Sequence, residues 1–149
     1  MHLSKPGPER NECLMDTISR RRRSENMRRI RSADTKPELV VRSLTHRLGY
    51  RFRLHRRDLP GCPDLVFPSK RKVIFVHGCF WHQHRRCIDG RTPKSNTAYW
   101  LPKLGDNKKR DKRNRSRIAR MGWKCLVIWD CQTGDRTKLN RQLKAFLEP

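Results

Sequence analysis

Two short apolar runs, Lys72-Val73-Ile74-Phe75-Val76 and Trp123-Lys124-Cys125-Leu126-Val127-Ile128-Trp129, interrupt a chain otherwise dominated by arginine and lysine. Their length and their β-branched and aromatic content read as buried strands, so the rest of the 149 residues has to fold around them. Thr35-Lys36-Pro37-Glu38 has the Thr-x-x-Glu form of a capping box with proline in the first turn. Val41, Leu44 and Leu48 follow at helical spacing, and Gly49 stands where a C-terminal cap would. Tyr50, Phe52 and Leu54 alternate with arginines, the pattern of a half-buried strand. Asp64 to Phe67 predicts a further strand, which Pro68-Ser69-Lys70-Arg71 turns towards the first apolar run. Asn107 to Met121 reads as a helix ended by Gly122, and a last helix carries Leu139, Leu143 and Leu147 on one side. The expected architecture is a small mixed sheet flanked by helices, an α/β (α+β) domain.

Charge narrows the function. The 37 Lys+Arg against 14 Asp+Glu give a formal +23, a self-repulsion best tolerated when the normal partner is a polyanion. Between Arg20 and Arg31 seven basic residues surround Glu25, with Met27 and Ile30 on one helical face, which predicts a phosphate-contacting arm. Residues 1–14 contain Pro6 and Pro8 and no periodicity, so they are expected to be a disordered extension or a start-site artefact. Residues 15–149 then form one domain, with 15–33 as its basic N-terminal arm. No stretch approaches the ~18–20 apolar residues of a membrane span, and the N-terminus has no apolar export segment. A membrane protein, a secreted disulfide scaffold and a metabolic enzyme for acidic substrates fit poorly; a cytoplasmic nucleic-acid-binding domain fits.

Six cysteines in such a chain are more often buried hydrophobes, metal ligands or nucleophiles than disulfides. Cys79-x4-His84-x2-Cys87 places soft ligands in a short loop directly after a buried strand. Cys131, just past the Trp123–Trp129 strand, is the best candidate for the fourth ligand of a tetrahedral zinc site. The alternative is a set of ordinary buried thiols. Bound zinc would supply about 10–16 kcal/mol of apparent folding energy to a self-repelling chain. Cys125, inside a strand, is expected to pack as an apolar side chain, and Cys13 and Cys62 are unclustered.

A structural zinc does not make an enzyme. The catalytic signal is Pro63-Asp64 opening one strand, with Phe75-Val76-His77 ending the next. Many nucleases place an acid-x-Lys element there, so that two acidic groups meet at one metal; here the second carboxylate is absent. On spacing alone Asp64 is either a metal ligand or a strand cap.

SENMRRIRSADTKPE, LPGCPD, VIFVHGCFWHQH and TAYWLPKLGDNKKRDKR occur in this order and approximate spacing from about Met15 to the final helix. Together they resemble the very short patch repair (Vsr) endonucleases, and HGCFWH with Pro-Asp upstream is the most specific part. The resemblance implies a restriction-endonuclease-like core with a structural zinc. It also implies nicking of double-stranded DNA 5′ to the thymine of a T·G mismatch left by 5-methylcytosine deamination.

Residue by residue, Asp64 matches the aspartate that binds catalytic Mg²⁺. Val76 stands where the family uses a backbone carbonyl as a further Mg²⁺ ligand, which accounts for the missing acid-x-Lys element. His82 matches the histidine that activates water; His84 is left to the zinc, because a base has to stay free of it. His77 and Glu38 match auxiliary active-site positions. Cys79, His84, Cys87 and Cys131 match the Zn²⁺ ligands. Phe80, Trp81 and Trp100 match intercalating aromatics, with core packing as their other use. Lys103 and Asn107 lie where the family contacts its target, and Met27 and Ile30 lie on the arm resembling its groove-entering helix. The implied partners are mismatched duplex DNA and, functionally, a cytosine-5 DNA methyltransferase. One cut suffices, so a monomer is expected. The competing reading is a zinc-stabilised nucleic-acid-binding protein without catalysis; Asp64 and His82 on one strand-loop unit separate the two.

Overall fold

The computed structural model describes Ser19, Arg21–Arg22 and residues 33–149. The basic arm expected over 15–33, with Met27 and Ile30, and the extension expected over 1–14 lie almost wholly outside these residues.

From Ala33 onwards the order is α1 (Lys36–Arg47), β1 (Arg53–Leu54), β2 (Leu65–Phe67), β3 (Lys72–His77), α2 (Thr97–Arg120), β4 (Lys124–Trp129) and α3 (Arg136–Leu147). The strands form one sheet in the order β1-β2-β3-β4. β1 and β2, and β2 and β3, pair antiparallel, whereas β3 and β4 run parallel from Lys72↔Lys124 to His77↔Trp129. A parallel neighbour requires a crossover, and α2 lies within it. The result is a mixed α/β arrangement of four strands and three helices among the described residues.

Strand alternation sorts the core into two layers. Leu65, Phe67, Ile74 and Ile128 point to one face, where Val41 of α1 and Leu139, Leu143 and Leu147 of α3 cover them. Val66, Val73 and Phe75 point to the other, against Ile118 of α2 and Leu59, with Trp123, Cys125 and Val127 alongside. His77 continues the odd-numbered set of β3, towards α2. Each methylene buried in these two layers contributes roughly 0.8 kcal/mol.

Local chemistry sets the boundaries. Thr35 Oγ1 accepts from the Glu38 N–H at 3.4 Å and caps α1 as its sequence predicts. Gly49 follows at φ +90, a conformation with no penalty only for glycine. Arg71 at φ 51 closes the 3-10 turn Pro68–Lys70 between β2 and β3.

Two expectations change. The strand expected at Tyr50–Leu54 pairs only over Arg53–Leu54, because its partner β2 ends at Phe67, where the turn Pro68–Lys70 begins. Tyr50 and Phe52 still pack on the α1/α3 layer, but Leu54 is 43% exposed. The helix expected from Asn107 begins ten residues earlier, at Thr97, and contains Pro102. A proline inside a helix loses one backbone hydrogen bond. Here the loss falls early in a 24-residue helix whose Leu104 is buried, and packing outweighs it. Among the described residues no helix is long and apolar enough to cross a membrane.

Candidate active site

The loop after β3 and the turn after β4 leave the same end of the sheet, because His77 pairs with Trp129 at the last register position. They deliver the ligand atoms of Cys79, His84, Cys87 and Cys131 to within 4.8 Å of one another. His84 Nδ1 lies 3.7 Å from Cys79 Sγ and 3.4 Å from Cys131 Sγ. A tetrahedral zinc with ordinary bond lengths would separate S and N ligands by about 3.6 Å, so the donor set fits such an ion. Its chemistry fits too. Burial pushes the Cys79 thiol up to about 12, and burial raises Cys131 as well. Cys87 goes the other way, held below its usual range by the backbone of Asp89, and a cation among the three would favour the thiolate of each. The loop is tightly folded: the His84 N–H donates to the Cys79 carbonyl at 2.9 Å. A Cβ on Gly90 would stand 2.3 Å from the His84 carbonyl oxygen, so only glycine fits there. Cys125 lies apart, its thiol pushed up to about 11 by burial, as an apolar strand residue should.

A second group lies beside the first. The His77 and His82 rings stack at 3.8 Å and 5°. His82 Nδ1 donates to Asp111 Oδ2 at 2.5 Å, joining the loop to the middle of α2. Burial drives the His77 pKa down to about 3, reinforced by His82, so His77 is a neutral ring. Burial would raise Asp111, but the hydrogen bond from His82 and the basic groups around it outweigh it and hold the carboxyl below its usual range. Trp129 bridges the two groups, stacked on His84 at 4.2 Å and edge-on to His77 at 5.3 Å. A cleft of about 490 Å³ opens here, lined by His77, His82 and Asp111 together with Lys108, Lys112 and Arg115. Its cations suit phosphate.

Asp64 reaches the same end of β3 from β2. Its Oδ2 accepts from the Val76 N–H at 2.7 Å, one residue before His77. Burial, aided by the negative charge of Glu38, raises its pKa to about 6. Glu38 is itself buried on α1, where it accepts from Arg42 and, at 2.5 Å, from His55 Nε2. His55 also lies 3.9 Å from Asp64 Oδ1. The carboxylates of Asp64 and Glu38 are thus linked through His55, a residue that sequence reasoning passed over.

The aromatic residues form a ledge. Phe80 packs edge-on against Trp81 and Trp100 at 5.1 and 5.3 Å, and Trp81 lies 5.9 Å from Trp100. Lys103 Nζ sits over Trp81 and Trp100 at 5.6 and 5.9 Å, and the Asn107 side-chain amide donates to the Trp81 carbonyl at 3.1 Å. Tyr99, Lys103, Asn107 and Asp111 are four apart on α2, one ridge of the helix. Asp111 was missed from sequence, although it is the one acidic residue between Asn107 and Trp129 and continues that spacing.

The profile of the family described as DNA mismatch endonuclease Vsr matches residues 15–88. A type II nicking enzyme of Xanthomonas oryzae, V.XorIIP, is 50% identical over 136 residues, 91% of this chain and 99% of that protein. The chain belongs to the Vsr family. The DNA mismatch endonuclease Vsr of Escherichia coli is 42% identical over 85% of this chain and 80% of its own length. The nicking enzyme V.NmeAIP of Neisseria meningitidis is 37% identical over 88% and 96%. The protein is therefore a Vsr-family endonuclease acting on DNA, and endonucleases of this kind call for a divalent metal. The profile spans Glu38, Asp64, Val76, His77, Phe80, Trp81, His82 and the first three members of the Cys/His cluster.

Proposed function

We propose that this Vsr-family endonuclease nicks duplex DNA 5′ of the thymine in a T·G mismatch arising from 5-methylcytosine deamination, and so initiates very short patch repair. The observation that carries the reading is the His82–Asp111 hydrogen bond, whose aspartate stands on the helix ridge that also carries Lys103 and Asn107 beside the aromatic ledge. A hydrolytic pair and a stacking platform, each joining the loop after β3 to one helix, suit an enzyme that cuts beside a disturbed base step.

Asp111, an acceptor, fixes the proton of His82 on Nδ1, leaving Nε2 with a lone pair for the attacking water. The neutral His77 ring stacked on His82 holds its plane without adding a competing charge. Asp64 and the Val76 carbonyl would hold Mg²⁺, which supplies Lewis-acid polarisation of the scissile phosphate and stabilises the leaving oxygen. The Val76 N–H on Asp64 orients that carboxylate, and Glu38 with His55 backs it. Lys108, Lys112 and Arg115 line the phosphate's side of the cleft. The product is a nick with 3′-hydroxyl and 5′-phosphate ends.

Cys79, His84, Cys87 and Cys131 would hold a structural Zn²⁺. A T·G wobble stacks weakly, so inserting Phe80, Trp81 and Trp100 there is less costly than at a paired step. Lys103 and Asn107 contact the target pair, while Met27 and Ile30 belong to the arm. Residues 15–149 act as one endonuclease domain with a restriction-endonuclease-like core, as a cytoplasmic monomer. The enzyme serves a cytosine-5 methyltransferase whose product creates its substrate. The names of the relatives, a mismatch endonuclease and nicking enzymes, support this reading.

The test is an end-labelled duplex with one T·G mismatch in varied cytosine-methylation contexts, with and without Mg²⁺, for wild type and Asp64→Ala. A magnesium-dependent cut 5′ of the mismatched thymine, absent from the variant, is expected. Tight binding without a cut in any context would instead leave a zinc-stabilised binding protein.

A further inference from the structure

We infer that Tyr99 is a positioning residue for target recognition, whose hydroxyl aims the Lys103 ammonium from the aromatic ledge at the base pair being read. The inference rests on the target-contacting role proposed above for Lys103.

Lys103 Nζ donates to Tyr99 Oη at 3.0 Å, and the ammonium also lies 5.2 Å from the centre of the Tyr99 ring. With Trp81 and Trp100, three aromatic rings surround one cation. Tyr99 is itself anchored edge-on against Trp100 at 5.0 Å and 78°. Ring faces attract a cation but do not fix the direction of its N–H bonds. A lysine on a flexible four-carbon stem needs a directional acceptor for that. Tyr99 Oη is the directional partner, one helical turn away, and it takes one of three donors.

The pair's hydrogen-bonding character follows. With one ammonium N–H held by the phenol oxygen, the other two are left to point outward, so Lys103 presents donors only. In the major groove guanine shows N7 and O6 acceptors and thymine an O4 acceptor, whereas cytosine shows an N4 donor. A donor-only ammonium aimed at the pair therefore complements T·G and opposes the parent C·G. Phenylalanine at position 99 would keep the ring, its contact with Trp100 and the cation–π attraction, and would remove only the directional partner.

The test measures binding without added metal, and single-turnover nicking with Mg²⁺, on T·G and matched C·G duplexes. Wild type is compared with Tyr99→Phe, Lys103→Met and the double variant. Tyr99→Phe is expected to reduce the T·G over C·G binding ratio about fivefold, the size of one net hydrogen bond. The loss should fall mainly on apparent affinity rather than on the rate at saturating DNA. The double variant should match Lys103→Met alone. Loss of discrimination in Lys103→Met but not in Tyr99→Phe would overturn the role of Tyr99 and leave that of Lys103 standing. Full discrimination in both single variants would overturn the reading of Lys103 and the inference with it. Independent losses that add in the double variant would show that Tyr99 does not act through Lys103.

Discussion

His82 Nδ1 lies 2.5 Å from Asp111 Oδ2, a bond between a loop that follows β3 and the centre of a helix 29 residues further along the chain. Asp111→Asn keeps the shape but can present an amide donor to His82 and favour the wrong tautomer. Single-turnover nicking should fall by about 10²–10⁴, with mismatch binding retained. A gel-shift and a quench-flow experiment on the same preparation check this; an unimpaired rate would remove Asp111 from the reaction.

Asp64 is held where its charge is costly. Its pKa of about 6 lies above the usual carboxylate value, so the folded state binds the proton more tightly than the unfolded chain does. That penalty is absent below about pH 4, grows as pH rises towards 6, and is complete above it. Asp64→Asn should therefore abolish nicking yet stabilise the protein by up to about 3 kcal/mol at pH 7.5 without added magnesium. Thermal melts across pH 4–8 would show the gain shrinking to nothing at the acid end. A gain independent of pH would refute the assignment.

Gly90 abuts the His84 backbone, whereas nothing lies within 4 Å of a Cβ built on Gly134. Gly90→Ala should lower stability by about 1–3 kcal/mol and reduce bound zinc per chain, with Gly134→Ala as the control. Metal analysis alongside melting decides it: full zinc content in a stable Gly90→Ala protein would show that the loop can yield.

The zinc proposed for the cluster tests the same region from another side. Chelation should lower the melting temperature and nicking together, because Trp129 stacks on His84 and also touches His77. Restoring Zn²⁺ alone should recover the fold, and nicking should then need Mg²⁺ as well. Recovery of nicking with Zn²⁺ alone would argue against two separate metal roles.

The layers of the fold were legible because their chemistry is local. The Thr35 cap, the apolar run of β3 and the leucine spacing of α3 each specify their own element. The Cys/His cluster was legible from spacing in one loop, and Cys131 from its place after a strand. α2 is longer than its local sequence predicts, because Pro102 and Gly105 argue for a break that packing of Leu104 overrides. Asp111 and His55 escaped notice for a different reason. Each matters through a partner 29 or 17 positions away, and no local pattern marks such a pair.

The ridge of α2 places the lysine of the ledge and the aspartate of the hydrolytic pair eight residues apart on one rod, about 12 Å along its axis. Inserting a single residue between them would swing one against the other by roughly 100°. On the roles proposed above, reader and blade are geared to the same shaft, so retuning the recognised site would have to come from exchanging side chains. Changes in the length of this segment would uncouple finding the lesion from cutting it.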